Sequence, residues 1–440
     1  LDWLADNVFF ARSQMAMSLA FHIVFAVVGI AMPLLMVLAE ILWRRSGDEE
    51  YLRLARAWSK GTAVFFAVGA VSGTVLSFEL GLLFPRFMRE AGAVIGMPFS
   101  LEGFAFFTEA IFLGVYLYGW QRVSPRAHVA AGVGVAASGL ASAVFVVIAN
   151  AWMNAPTGFR VAGGRLTDID PIAAMRTPAA PHEVLHMAVA AYMATGAAVA
   201  GIHAFALLRR PSSFHAKALA VALAVTAPAA LVQPLVGHYA GHSVAQLQPV
   251  KLAAMESQYQ TEARAPLRLG GIPDEQNATT RYAIEIPGGL SFLAHNDFNA
   301  VVTGLDAVPP ADRPPVLTHY AFQIMVGLGF LLAAVAAWAL GARVLRKRWP
   351  ASRAFLWAVV LTSPLGLVAL EAGWFVTEVG RQPWVIYNVL RTADSVTPMP
   401  GLVVPFTTFS LVYLLLGAVC LVILRRYVRS SLAGDGQGVT

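Results

Sequence analysis

Nine separate runs of this chain are apolar over the length an α-helix needs to cross a bilayer, about 20 residues. They fall at about 15–42, 60–84, 98–120, 130–152, 183–208, 216–240, 317–342, 354–378 and 403–424. Inside lipid every backbone polar group must be satisfied internally, which leaves helices or a closed barrel. The short alternating strands of a barrel are missing from the pattern. Composition agrees, with 58% of the 440 residues hydrophobic and only 13% charged. The expected fold class is an all-α membrane protein, a bundle of about nine transmembrane helices with one long loop on the outer side.

An odd number of spans puts the termini on opposite faces. Of the 31 Lys and Arg residues, 18 fall on one set of alternating loops and the C-terminal end (among them Arg44, Arg45, Arg209, Arg210, Lys347 and Arg348). The positive-inside rule makes that side cytoplasmic, with the N-terminus outside. The expected organisation is helices 1–6 over 1–240, a periplasmic loop over 241–316, helices 7–9 over 317–430, and a cytoplasmic tail over 431–440. The first run lacks a basic leader and a small-residue cleavage site, so a retained helix is expected. The single cysteine, Cys420, leaves no internal disulfide, cysteine-based zinc site or iron–sulfur cluster held by this chain alone. A net charge of +6 spread over loops gives no nucleic-acid surface.

With the topology set, each polar residue in a span has a depth at about 1.5 Å per residue. His22, Glu102, His186, Met325 and Glu378 converge on one outer layer, with Glu371 two turns below Glu378. Glu109 lies seven residues beyond Glu102 on the same helical face, and Ser142 sits near mid-membrane. Charges at such depth are functional candidates. His with Met is the axial pair of a low-spin electron-transfer haem, and a carboxylate or a lone His leaves iron high-spin and open to oxygen. Glu102, Glu109 and Ser142 would make a polar ladder for protons. Each residue has a plainer account. A membrane histidine is more often hydrogen-bonded than metal-bound, a methionine more often packing, and intramembrane glutamates suit a transporter equally well. His182, one turn before His186, is a competitor for its role. Lys251-Leu-Ala-Ala-Met-Glu256 reads as a short amphipathic helix in the long loop, most simply with a solvated polar face. Arg381 lies one turn after Glu378.

These residues carry a resemblance. Arg12-Ser-Gln-Met with His22, Glu102-Gly-Phe-Ala-Phe-Phe-Thr-Glu109, Asn150-Ala-Trp-Met153 and His186 with Tyr192 cover the first half. Lys251 to Glu256, Gly271-Ile-Pro-Asp274, Ile324-Met325-Val-Gly327 and Gly373 through Gly380-Arg-Gln-Pro-Trp384 cover the second. Along nearly its whole length the chain resembles subunit I of the cytochrome bd-type quinol oxidases. The resemblance implies that His186 and Met325 ligate a low-spin haem b, and that His22 and Glu378 ligate two high-spin haems. One of those is b-type and the other haem d, or a third haem b in its place. It implies a glutamate beside the oxygen-reducing haem at Glu102, and a cytoplasmic proton path at Glu109 and Ser142. Quinol-loop residues would be Lys251 and Glu256, with Gln248 a weaker match. Arg381, Trp374 and Arg12 would neighbour the haems, where a guanidinium pairs well with a propionate.

The implied activity is oxidation of quinol at the periplasmic face and reduction of dioxygen to water, in the bacterial cytoplasmic (inner) membrane. The implied partners are a second membrane subunit and a small single-helix subunit. Two rivals remain open: an ion-coupled transporter built on the glutamates, and a b-type carrier that reduces no oxygen. Gln323 stands where many relatives carry arginine. The loop lacks a long insertion, and Glu102 to Glu109 is one residue tighter than in some relatives; both resemble the short-loop, cyanide-insensitive branch.

Overall fold

A computed structural model describes residues 7–433, with side chains described through 426. In chain order the helices are α1 (Asn7–Ser46), α2 (Glu49–Leu83), α3 (Pro85–Tyr118), α4 (Pro125–Asn154), α5 (Pro171–Met175), α6 (Ala180–Arg209) and α7 (Ser213–Leu247). There follow α8 (Pro249–Glu256), α9 (Gly289–His295), α10 (Leu317–Arg346), α11 (Arg353–Thr362), α12 (Leu365–Val379), α13 (Thr392–Ser395) and α14 (Val403–Ala433). Nine spans are long and apolar enough to cross a membrane among the described residues: α1 to α4, α6, α7, α10, α11 with α12, and α14. The all-α membrane bundle expected from the sequence is the fold found. Most of the tail assigned to 431–440 lies outside the described residues.

The apolar run over 354–378 is two helices rather than one. Pro364 has no N–H for the Val360 carbonyl, so the helix breaks there. The Ser363 hydroxyl donates to that carbonyl instead, at 2.9 Å. At the basic ends of the bundle the helices start on side-chain caps, which satisfy otherwise orphaned N–H groups. Asp48 accepts from Glu50 N, Ser124 from Ala127 N, Ser212 from His215 N and Ser352 from Phe355 N.

Helices α1 to α4 pack together, α1 also lies on α6, and α6, α7, α10 and α12 form a second group. A core through Leu35, Met36, Tyr116, Val135, Leu219 and Phe355 joins the groups. Phe78, Phe104, Phe107 and Ile111 on α2 and α3 are exposed, as expected of lipid- or partner-facing sides.

The basic ends are joined by short turns. The opposite ends carry 155–179, 248–316 and 380–402, in which short antiparallel ribbons pair 160–162 with 165–167, 267–269 with 284–286 and 272–274 with 279–281. We call this end of the bundle the loop side. Gln323 ties the long loop to α10: its Oε1 accepts from Gly270 N (3.0 Å) and its amide donates to Arg268 O (3.1 Å).

Candidate functional site

The C-terminal end of α4 organises the loop side. Asn154 is 1% exposed, and its Oδ1 faces three donors: Lys251 Nζ at 3.3 Å, Arg381 at 3.3 Å and Gln248 Nε2 at 3.4 Å. Its amide nitrogen donates to Asn150 Oδ1 (3.0 Å) and to Glu183 Oε1 (2.9 Å). Asn150 in turn donates to Glu378 Oε1, and Arg381 pairs with Glu378 Oε2 at 2.6 Å. One buried net thus joins the start of α8, the end of α12, and α4 and α6. Arg381 is a buried cation held by a carboxylate, the condition under which burial of a charge is tolerable.

Lys251 is 3% exposed and Glu256 4%, so the short helix is present but its polar face is not solvated. The reason is tertiary. Lys251 is drawn inward by Asn154, Gln248 Oε1 (3.2 Å) and Thr377 O (3.1 Å). Burial lowers the Lys251 amine to about 8, opposed by the Glu183 carboxylate. Burial raises Glu256 to about 8 against the field of Arg268. Glu256 Oε2 has no partner; on α10, His319 Nδ1 bonds Met255 O at 2.9 Å, and its ring also faces the Gly270 and Gly271 backbone.

His22 meets α2. Its Nδ1 is 2.9 Å from Ser72 Oγ, whose own hydrogen goes to Val68 O at 2.9 Å. Donor accounting makes Nδ1 the protonated nitrogen and leaves the Nε2 lone pair free, the tautomer a metal ligand needs. Gly73 makes room for the ring, since a Cβ there would stand 2.9 Å from His22 Cε1. His186 lies against α7, with Gln233 Nε2 3.2 Å from its Nε2 and Gly237 opposite the ring. Gln233 Oε1 is buried without a partner, so the amide still has an acceptor to offer an imidazole N–H. Met325 presents its sulfur to Gly373, where a Cβ would sit 3.1 Å away. His182 is buried edge-on to Tyr239. Trp374 packs where Ile23, Val147, Met187 and Leu370 meet, one residue from His22 on α1 and from His186 on α6. Arg12 is exposed on α1.

Glu102 and Glu109 both face α4. Ser142 donates to Glu102 Oε1 at 3.3 Å, and Gly139 abuts the Glu109 carboxyl. The sequence reading placed Glu102, Glu109 and Ser142 together, and the structure puts them along one α3–α4 seam.

The family model for cytochrome bd terminal oxidase subunit I matches residues 10–432. The chain belongs to this family. It is 37% identical over 96% of its length to a Bacillus subtilis (strain 168) protein, provisionally named cytochrome bd menaquinol oxidase subunit I, 97% of which is covered. It is 28% identical, over 88% of this chain and 89% of the relative, to the cytochrome bd-II ubiquinol oxidase subunit 1 of Escherichia coli (strain K12). The structure superposes on a chain of the bd oxidase from Geobacillus thermodenitrificans with a TM-score of 0.90 and 40% identity, covering 97% of this chain and 99% of that one. The chain is therefore a subunit of a haem-dependent terminal oxidase in the membrane, and the transporter alternative falls away.

The residues present fit haem. Among the described residues no three His, Cys, Asp or Glu cluster as they would for a bare ion, but haem iron asks the protein for only one or two axial atoms. His22 Nε2, the Met325 sulfur and the Glu378 oxygens can each offer a lone pair, and glycines sit opposite His22, His186 and Met325. A test follows. If Met325 ligates a low-spin haem, Gly373→Ala is expected to press on its sulfur and weaken or shift that haem's reduced absorption band, with the helices intact by circular dichroism. An unchanged band would separate Met325 from that haem.

Sequence reasoning missed Asn154 and Glu183. Asn154 stands next to the quoted Asn150–Met153 stretch, and Glu183 is one turn before His186. Neither spacing announces that their partners arrive from 248–251 and 378–381. Gln233 had no signal beyond being a polar residue inside a span.

Proposed function

We propose that this chain oxidises quinol beside α8 on the loop side and delivers the electrons, through haems held by His186 with Met325 and by His22 and Glu378, to dioxygen. The observation that carries the reading is the Asn154 net, which hydrogen-bonds the loop lysine Lys251 to the Arg381–Glu378 pair. Haem bound at these positions would supply one-electron transfer and oxygen chemistry. The protein's own atoms do the rest. Glu256 Oε2 on α8, buried and unpartnered, and the His319 imidazole on α10, tied to α8 through Met255 O, are the acceptor and ring suited to a quinol's two hydroxyl ends. Lys251 and Gln248 anchor α8 to the bundle. Glu102, Ser142 and Glu109 pass protons along α3 and α4 from the opposite end. Arg381 fixes the Glu378 carboxylate through its Oε2.

The oxygen-site haem is d or a third b, beside one low-spin and one high-spin b. The excess of Lys and Arg at the turn ends supports a periplasmic loop side and N-terminus and a cytoplasmic C-terminus, in the bacterial inner membrane. A second membrane subunit, as subunit I in the relatives' names implies, and a small single-helix subunit would cover apolar faces of the bundle.

Two substitutions test the quinol site. Lys251→Ala is expected to cut quinol-dependent oxygen uptake by roughly 10–100-fold, the range for losing a second-layer anchor, with haem spectra unchanged. Loss of haem in this variant would contradict the assignment. Glu256 is neutral below about 8 and becomes a base above it. If it accepts the quinol proton, turnover rises with pH through that region, and Glu256→Gln abolishes the rise. The sign for stability is opposite. With the folded value above the ordinary one, the neutral carboxyl's contribution is full below about 4.5 and is lost as pH climbs to about 8. A Glu256→Gln profile that keeps the rise would remove Glu256 from proton transfer.

A further inference from the structure

The carboxylate of Glu79, on α2, has no part in the sites above, yet it is 2% exposed inside the loop-side half of the bundle. Gln14 Nε2 donates to its Oε1 at 2.9 Å. Ser18 from α1 and Tyr413 from α14 complete its surroundings. Gln14, Ser18 and Tyr413 are 1%, 0% and 4% exposed. These partners are all uncharged. The cations nearest in sequence, Arg86 and Arg89, belong to the start of α3, where Arg89 is engaged by Glu90 at 3.7 Å; Arg12 is exposed on α1.

Ser18 Oγ lies within hydrogen-bonding reach of both the Glu79 carboxyl and Tyr413 OH, and Gln14 Oε1 has no partner. These partners leave the carboxylate without a balancing cation, and an uncompensated charge in a membrane interior is costly, so a bound proton relieves it.

The cluster is one end of a polar seam. Gln14, Ser18 and His22 recur every four residues on α1, and Ser72 and Glu79 lie two turns apart on α2. The seam is bonded at both ends, Gln14 to Glu79 and His22 to Ser72, over about 12 Å of helix. It is separate from the Glu102–Glu109–Ser142 seam on α3 and α4.

We propose that Glu79, with Gln14, Ser18 and Tyr413 closed over it, forms a proton-binding site whose charge answers that of the group held by His22. When one electron, supplied by quinol, arrives there, the Glu79 carboxylate takes one proton from the aqueous phase at the loop side, forming an O–H bond. When the electron leaves, that bond breaks and the proton returns. The coupling rests on the haem reading of His22; the carboxyl site does not.

The test is redox-difference infrared spectroscopy of the purified haem-bearing complex, in water and in deuterium oxide, with optical haem spectra taken on the same samples. Wild type is expected to gain, on reduction, a protonated-carboxyl stretch that shifts in deuterium oxide. Glu79→Gln should remove that band and leave the haem spectra unchanged, and Tyr413→Phe should move it. A carboxyl band unaltered in Glu79→Gln overturns the proposal. His22→Ala separates the two readings. Loss of one haem together with the Glu79 band supports the coupling. A full haem complement in His22→Ala refutes the ligand assignment, and a Glu79 band persisting there refutes the coupling to His22.

Discussion

Met325→Leu is expected to yield a folded, membrane-inserted protein that has lost its low-spin haem signature while the high-spin signals remain. Leucine nearly conserves the volume of methionine, and such swaps usually cost less than about 1.5 kcal/mol. What leucine lacks is a lone pair on the atom facing Gly373, where the methionine sulfur is packed. Electrons from quinol then have no low-spin relay, so quinol-dependent oxygen uptake should fall by more than the roughly 10–100-fold typical of losing an outer-shell partner. His186→Ala is expected to do the same, at a greater stability cost because it opens a space against α7. A Met325→Leu protein with a full low-spin spectrum would mean that the sulfur only packs.

Arg381→Leu is the second large effect. Arg381 is 2% exposed and its bond to Glu378 Oε2 is 2.6 Å. Removing the guanidinium leaves the partly buried Glu378 carboxylate, 30% exposed, without its cation. The carboxylate also loses the partner that fixes its Oε2. The expected result is loss of the haem that Glu378 would hold, with the low-spin band retained. Arg381→Lys should rescue only in part, since the guanidinium also reaches Asn154 Oδ1 and an ammonium does not reproduce that fork. Retention of every haem in Arg381→Leu would remove Glu378 from the ligand set.

The bundle was legible because lipid imposes its demand on length and polarity residue by residue: each apolar run became a span. Only the break at Pro364 went unread, and it depends on a single missing N–H. The polar layer was legible in depth but not in partners. Arithmetic along two helices put Glu102 in the outer layer and Ser142 near mid-membrane, as rungs of one polar ladder, and the structure brings them to 3.3 Å. Lys251 was read as solvated because a short helix with Lys and Glu five apart looks amphipathic; Asn154 and Thr377, more than ninety residues away in opposite directions, decide otherwise. Ser72, which sets the usable nitrogen of His22, resembles any small residue in a span. Glu79 likewise falls near a helix end, where a carboxylate raises no question until Tyr413 and Gln14 are seen to close over it.

The central claim, a terminal oxidase subunit whose His186, Met325, His22 and Glu378 hold haem, is tested most directly by one measurement. It is a reduced-minus-oxidised optical spectrum of the purified complex, with and without carbon monoxide, for wild type beside Met325→Leu and His22→Ala. The account predicts low-spin b bands in wild type that vanish in Met325→Leu. It also predicts carbon-monoxide-sensitive high-spin bands, one of which vanishes in His22→Ala. A wild-type complex without haem bands, or variants with spectra identical to wild type, would contradict it.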